Sequence, residues 1–180
     1  MGKTGYKIGD CTLEIVKGDI TKQQTDAIVN AANKKLAPGG GVAGAIHKAA
    51  GPGLWEECKK LGGCETGEAK ITSGYNLAAR FVVHTVGPVY DNTPQNAKDL
   101  ENCYFNSLSL AVEHDLNSIS FPAISTGIFG YPLEEAAEIS IRTVIKFLEE
   151  HAKPKLVRFV LFGAKDLAVY KNSLQKIVDN

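Results

Sequence analysis

The segment SISFPAISTGIFGYP, residues 118–132, connects a strand pattern to a helix pattern through a short glycine loop. Residues 118–123 form an apolar run without strict alternation, which is typical of a strand covered on both faces. Gly127 and Gly130 follow this run. From residue 133 to 151, apolar side chains recur at three- and four-residue spacing, as they do on one face of a helix. A strand, a loop and a helix in this order indicate an α/β fold.

The same alternation of strand and helix patterns extends along the chain. Strands are predicted at residues 12–17, 27–30, 69–73, 81–86, 118–123 and 156–162, and helices at residues 44–51, 99–113, 133–151 and 167–178. No linker, repeat or low-complexity tract marks a second domain, and a length of 180 residues suits one domain. We therefore expect a single α/β domain over residues 1–180, with a sheet between helices and residues 1–10 as a short N-terminal extension.

The composition narrows the kinds of ligand that the chain can hold. Lysine plus arginine and aspartate plus glutamate both number 20, so the formal charge is zero, whereas nucleic-acid binders usually carry a basic excess. We expect no nucleic-acid partner, and we expect any phosphate to be bound by main-chain N–H groups. No apolar run approaches the roughly 18 to 20 residues of a membrane-spanning helix, so no membrane association is expected either.

The four cysteines do not form a recognisable ligand set. Cys11, Cys58, Cys64 and Cys103 are scattered without a CxxC pair, and the chain contains no HExxH motif. They are typical of reduced thiols in a cytoplasmic protein, each a small core or surface residue. We therefore expect a cytoplasmic location, and neither a metal ion nor a cofactor.

Two glycine-rich loops follow predicted strands and precede helices. Their glycines are Gly39, Gly40, Gly41 and Gly44 in the first loop, and Gly127 and Gly130 in the second. Glycine lets the backbone approach a ligand closely, and a helix N-terminus offers unpaired N–H groups, so the two loops could cradle a diphosphate. Neither loop is a GxGxxG or GxxxxGK[ST] motif, and an ordinary tight turn is the alternative for each.

Six motifs along the chain resemble the macro domain family. They are GDIT (18–21), IVNAAN (28–33), GGGVAGAIH (39–47), AAGP (49–52), HTVGP (84–88) and FPAISTGIFGYP (121–132). The chain is most similar to bacterial MacroD-type members, from about residue 12 to residue 170. The resemblance implies a three-layer α/β/α macro domain with a central mixed sheet and a cleft for ADP-ribose. It also implies hydrolysis of O-acetyl-ADP-ribose, or of mono-ADP-ribose on acidic side chains of proteins.

The resemblance assigns three residues to the adenine end of the ligand. Asp19 would accept a hydrogen bond from the exocyclic amino group, the main chain of Ile20 would lie beside it, and Phe162 would stack on the base. An acidic side chain that follows a strand suits this acceptor role. The alternatives are a helix or turn cap for Asp19 and a core position for Phe162.

The resemblance assigns the rest of the ligand to the two glycine loops and to Asn33. Main-chain N–H groups of the second loop would wrap the diphosphate, and Phe129 would pack against the distal ribose. Asn33 would contact that ribose and help to hold a water molecule, although Asn30 and Asn33 could instead cap the loop. The residues concerned are Asn33, Gly40, Gly41, Val42, Ser125, Thr126, Gly127, Ile128 and Phe129.

Ala43 departs from the MacroD-type pattern. Hydrolytic members usually read GGGVDGAIH, where the aspartate positions or activates the attacking water, but this chain reads GGGVAGAIH. A methyl group cannot act as a general base. The chain is then a reader without turnover, a variant whose aspartate was replaced, or a hydrolase that relies on Asn33 and the substrate phosphate. His47 is a further, weaker catalytic candidate, and a structural hydrogen-bonding role is its alternative.

Overall fold

A computed structural model describes residues 5–180, which form a seven-stranded sheet and five α-helices. The elements are β1 (Gly5–Ile8), β2 (Cys11–Lys17), β3 (Ala27–Ala31), α1 (Gly41–Ala50), α2 (Pro52–Lys59), β4 (Ala69–Ser73), β5 (Phe81–Thr85), α3 (Pro94–Glu113), β6 (Ser118–Phe121), α4 (Leu133–His151), β7 (Leu156–Leu161) and α5 (Ala164–Val178). A short 3-10 turn at Ile20–Lys22 follows β2.

The sheet is mixed, as the family resemblance implied. Its strand order is β1-β2-β7-β6-β3-β5-β4, in which the five inner strands run parallel and the two edge strands pair antiparallel. Adjacent parallel strands end at the same edge of a sheet, where α/β folds place their ligands. The segments that follow β2, β3, β6 and β7 therefore meet at one edge.

Residues 5–8 are part of the sheet, so the prediction of an N-terminal extension over residues 1–10 is wrong for this segment. β1 forms a hairpin with β2, and Ile8 pairs with Cys11 across a two-residue turn. Gly9 takes a φ of 59°, the left-handed conformation that such tight turns require. Residues 1–4 of the predicted extension lie outside the described residues.

Helices cover both faces of the sheet, and each face has its own apolar core. Side chains of α3, α4 and α5 pack on one face around Phe121 and Phe159. Side chains of α1 and α2 pack on the other face around Ile28 and Val82. The single-domain three-layer α/β/α architecture predicted from the sequence is confirmed. No helix within residues 5–180 combines the length and the apolar character needed to span a membrane.

The four cysteines are all buried and free. Burial is the main cause that raises the pKa of Cys58, Cys64 and Cys103 to about 11, so these thiols stay protonated near neutral pH. A protonated, buried thiol is a poor nucleophile and a poor metal ligand. The described residues 5–180 contain no group of three or more His, Cys, Asp or Glu side chains that could hold a metal ion.

Candidate functional site

The candidate site lies at the edge where the parallel strands end. Asp19 follows β2, Asn33 follows β3, Ser125 follows β6 and Phe162 follows β7. The Gly18 N–H donates to the Leu161 carbonyl at 2.9 Å, so the ends of β2 and β7 stay paired up to this edge. The structure thus brings the segments that carry the predicted site residues to one edge of the sheet.

Asp19 is exposed, and its side chain both caps a turn and keeps an oxygen free. Its Oδ1 accepts from the Thr21 N–H at 2.9 Å and from the Thr21 hydroxyl at 2.7 Å. The hydroxyl bond, followed by the main-chain bond, lowers the pKa of Asp19, so the carboxylate is ionised at neutral pH. No hydrogen bond within residues 5–180 engages Oδ2. The neighbouring Ile20 side chain is buried, which fixes this turn against the sheet.

Phe162 lies on the surface at the end of β7, which is paired with β2, the strand that leads to Asp19. Its side chain is 88% exposed although the strand that precedes it is buried, so the alternative of a core position is wrong. An exposed aromatic ring and an ionised carboxylate at this edge offer a flat apolar face and a hydrogen-bond acceptor together. This combination suits a planar heteroaromatic ring that carries an N–H donor.

Asn33 holds the first glycine loop together. Its Oδ1 accepts from the Lys35 and Ala37 N–H groups at 3.1 and 3.0 Å, and its Nδ2 donates to the Ala37 carbonyl at 2.9 Å. The capping alternative is therefore realised for Asn33. The second N–H of its amide has no partner within residues 5–180.

The first glycine loop ends in the N-terminus of α1. A Cβ atom at Gly44 would lie 2.2 Å from the Gly39 carbonyl oxygen, so glycine is required where the loop folds back onto the helix. Gly40 is the N-cap residue, and no side chain caps this end of the helix. The N–H groups of Gly41, Val42 and Ala43 consequently point out of the first turn without intrahelical partners. Ala43 itself is buried.

The second glycine loop is held in place by hydrogen bonds of Ser125 and Tyr131. Ser125 is buried with a φ of 69°, and its hydroxyl donates to the Pro88 carbonyl at 2.8 Å. The Tyr131 N–H donates to the Ser125 carbonyl at 2.9 Å, which closes the loop. The Ser125 hydroxyl is thus a brace, and only the main chain of this residue is left for a ligand.

The main-chain N–H groups at the tip of this loop are free. Those of Thr126, Gly127, Ile128 and Phe129 donate to no acceptor within residues 5–180. Ile128 is 98% exposed, so the loop stands out from the sheet edge. A run of free N–H groups that project from one turn forms a concave site for an anion.

His47 lies on the buried face of α1, away from any hydrogen-bond partner within residues 5–180. Neither ring nitrogen is bonded within residues 5–180, so the alternative of a structural hydrogen-bonding role is wrong. Its ring lies 6.4 Å from the ring of His84 and 6.5 Å from that of Trp55. Burial lowers its pKa, which keeps the ring neutral, and its shielded nitrogens are poorly placed for proton transfer in the cleft.

Asn30, the first asparagine of the NAAN segment, lies inside the sheet and not in the loop. Its Nδ2 is 3.1 Å from His84 Nδ1, and the other His84 nitrogen is 2.9 Å from the Thr72 hydroxyl. This buried cluster was not found by sequence reasoning, because the three residues are distant in sequence and carry no common motif. The register that pairs Asn30 with His84 on neighbouring strands brings the two side chains together.

Fold and site together define a three-layer α/β/α protein whose two glycine loops expose main-chain N–H groups at one edge of the sheet. A family model described as Macro domain matches residues 29–140. A macro domain-containing protein of Chlorobaculum tepidum is 55% identical over 163 residues, which are 90% of this chain and 95% of that protein. The chain therefore belongs to the macro domain family, as its motifs indicated.

Two further comparisons extend this finding. The ADP-ribose glycohydrolase MACROD2 of Xenopus laevis is 53% identical over 89% of this chain, but the match spans only 39% of that longer relative. The solved structure of the Oceanobacillus iheyensis macrodomain with ADP has a TM-score of 0.94 and 48% identity, over 97% of this chain and 96% of that one. The Trypanosoma brucei macrodomain in complex with ADP-ribose has a TM-score of 0.86 and 44% identity, over 90% and 68% of the two chains.

Proposed function

We propose that the cleft binds ADP-ribose through the free main-chain N–H groups of its two loops. The observation that carries this proposal is the run of unpaired N–H groups from Thr126 to Phe129, opposite a second set at the start of α1. These groups hold a diphosphate without a basic side chain, which agrees with a formal charge of zero. Solved relatives that contain ADP or ADP-ribose support the same ligand.

The residues at the two ends of the cleft set the orientation of the bound ligand. At one end, the free Oδ2 of Asp19 accepts from the adenine amino group while Phe162 stacks on the base. At the other end, Phe129 packs against the distal ribose, and the spare N–H of Asn33 bonds to one of its hydroxyls. Gly40, Gly41 and Val42 of the first glycine loop cover this ribose.

The reaction that this arrangement supports is hydrolysis of an ester on the distal ribose. The substituent is an acetyl group or an acidic side chain of a protein, and water attacks the ester. The cleft contributes by positioning the ribose and the water, which alone accelerates reactions strongly. The name ADP-ribose glycohydrolase carried by the Xenopus relative supports an activity of this class.

A non-catalytic ADP-ribose reader is the second candidate, and Ala43 is the observation that favours it. This buried methyl group lies in the first turn of α1, beside the proposed ribose site, and it can neither accept a proton nor orient water. Binding does not need a carboxylate here, because a negative charge close to a diphosphate is unfavourable. A reader protein would therefore keep its affinity for ADP-ribose but would not hydrolyse the ester.

The test uses the full chain and its Ala43→Asp variant. Calorimetry should show saturable binding of ADP-ribose by both proteins, and the absence of saturation at millimolar ligand would overturn the binding proposal. Release of ADP-ribose from a protein ADP-ribosylated on glutamate should be measurable for the chain and about 10² to 10⁴ times faster for Ala43→Asp. Release by neither protein, despite binding, would leave the reader as the function.

A further inference from the structure

A second cavity lies behind the second glycine loop, between the first turns of α3 and α4. Its volume is about 400 Å³, within the usual range of about 300 to 1,000 Å³ for ligand pockets. Tyr90 and Tyr131 form its apolar walls, and Glu135 and Glu138 lie along its α4 side. Neither lysine nor arginine is among the described residues that line it.

This cavity adjoins the second glycine loop, since Tyr131, which lines it, directly follows the loop in sequence. The Tyr90 N–H donates to the Phe129 carbonyl at 2.9 Å, and the Tyr131 N–H donates to the Ser125 carbonyl at the same distance. Because the main chain of Phe129 is bonded to that of Tyr90, a chain attached to the ribose that Phe129 contacts can turn towards this cavity. Extended peptide advances about 3.4 Å per residue, so a few residues suffice to reach it.

Tyr131 supplies an unused polar group in this cavity. The residue is only 4% exposed, and no hydrogen bond within residues 5–180 engages its hydroxyl, which is still reached by solvent. The neighbouring Tyr90 differs, because its hydroxyl donates to Asn92 Oδ1 at 2.8 Å. Burial, followed by the charge of Glu135 and the presence of Tyr90, raises the pKa of Tyr131, so its hydroxyl is neutral and can accept or donate.

Of the two glutamates that line the cavity, only one has a cationic partner within residues 5–180. Glu138 bonds to the Arg142 guanidinium at 3.0 Å, whereas Glu135 takes part in no ion pair within residues 5–180. Glutamates in the first turn of α4 also stabilise the helix dipole, which by itself explains both Glu134 and Glu135. The dipole does not explain two tyrosine rings 4.9 Å apart beside an unpaired carboxylate and an unused hydroxyl.

We propose that this cavity binds an arginine side chain of the ADP-ribosylated protein, a few residues from the modified position. The inference rests on the proposed function and specifies its substrate as a protein with basic residues near the modification. The planar guanidinium packs against the tyrosine rings and pairs with the Glu135 carboxylate, and one of its N–H groups donates to the Tyr131 hydroxyl.

The experiment compares two peptides that differ in one charge. Both carry ADP-ribose on a glutamate through a linkage that cannot be hydrolysed. One has arginines on either side of this glutamate, and the other has neutral citrullines of the same shape. Calorimetry with the full chain should give a dissociation constant about five- to tenfold lower for the arginine peptide.

Three variants separate the cavity from the general charge of the surface. Glu135→Gln and Tyr131→Phe should each bring the preference for arginine below about twofold, since each removes one partner of the guanidinium. Glu134→Gln is the matched control, because Glu134 is adjacent in the same helix turn but does not line this cavity, and it should keep the preference. All three variants should bind free ADP-ribose as the unmodified chain does.

Equal affinity of the unmodified chain for both peptides would overturn the inference and leave ADP-ribose binding standing. If Glu134→Gln loses the preference for arginine as fully as Glu135→Gln does, the preference comes from the general negative charge of this surface, and the inference is also overturned. If the chain does not bind free ADP-ribose at all, the proposed function fails and this inference fails with it.

Discussion

Gly87 and Ser125 show how a single missing side chain shapes the cleft. The Ser125 hydroxyl reaches the Pro88 carbonyl only because Gly87 leaves room for it. A Cβ atom at Gly87 would lie 2.2 Å from Ser125 Oγ and 2.6 Å from Ile124 Cγ2, both much closer than van der Waals contact. The segment after β5, which contains Gly87, therefore sets the position of the second glycine loop, which follows β6.

The substitution Gly87→Ala should displace the second glycine loop. We expect the free energy of unfolding to fall by about 1 to 3 kcal/mol, as for other overpacked buried sites. The dissociation constant for ADP-ribose should rise about tenfold, because the N–H groups at the tip of the loop no longer converge. Urea unfolding and calorimetry measure the two effects.

Gly163→Ala is the steric control for this experiment, since a Cβ at Gly163 meets no atom within 4 Å. The control should change ADP-ribose binding by less than Gly87→Ala does. An unchanged ADP-ribose affinity in Gly87→Ala would show that the loop does not depend on this contact.

At the scale of secondary-structure elements, the start of α3 depends on the buried side-chain amide of Asn96. Asn96 is 5% exposed, and its Oδ1 accepts from the Asp91 N–H at 2.9 Å and from the Thr93 N–H at 3.4 Å. Its Nδ2 lies 3.4 Å from the Val89 carbonyl. The side chain thus ties the first turn of the helix to the segment that also supplies Tyr90.

Asn96→Ala should therefore loosen the start of α3 and the segment before it. The Asp91 N–H loses its acceptor and the Thr93 N–H keeps only Asp91 Oδ1, which costs about 0.5 to 1.5 kcal/mol of the free energy of unfolding for each lost bond. Hydrogen exchange at the amides of Asp91 and Thr93 should accelerate in step. Gln95→Ala, a substitution of the exposed neighbouring residue, should change neither measurement much, and equal effects of both variants would contradict the assignment.

The start of α3 differs from the start predicted from the sequence. Apolar spacing predicted a start at residue 99, whereas α3 begins at Pro94. Residues 94–98 have no apolar stripe, and the helix starts there because of a local capping box between Thr93 and Asn96 with Pro94 in the first turn. α2 was not predicted, because its eight residues are too short for a clear period. The six predicted strands are confirmed to within two residues at each end. Four of them, β3, β5, β6 and β7, are mostly buried, as their apolar runs indicated.

The candidate site was predictable in position but not in its internal contacts. Strand ends and glycine loops identify the edge where Asp19, Asn33 and Phe162 lie, because the carboxyl ends of parallel strands meet at the same edge of a sheet. The partner of the Ser125 hydroxyl and the isolation of His47 depend on residues far away in sequence. No local pattern encodes such partners, and the cavity formed by Tyr90 and Tyr131 escaped prediction for the same reason.

At the scale of the whole molecule, two neutral histidines link stability to pH. His84 is fully buried, and burial, followed by the proximity of His47, lowers its pKa from 6.5 to about 3. Burial also lowers the pKa of His47. Because both values lie below those of the unfolded chain, the unfolded state binds more protons as the pH falls. The histidines therefore favour the folded state above pH 6.5 and lose this contribution progressively as the pH falls towards 3.

The free energy of unfolding should consequently fall by about 2 kcal/mol between pH 7 and pH 5 from His84 alone, with a further loss from His47. The lowered pKa values of Asp19 and Asp91 act only in more acidic solution, since carboxylates in unfolded chains titrate near pH 4. Urea unfolding at the two pH values measures the difference. His84→Gln should remove most of this pH dependence, because an amide can bond to Asn30 and Thr72 without titrating. The exposed His114→Gln should retain it, and a His84→Gln protein with the full pH dependence would place the titrating group elsewhere.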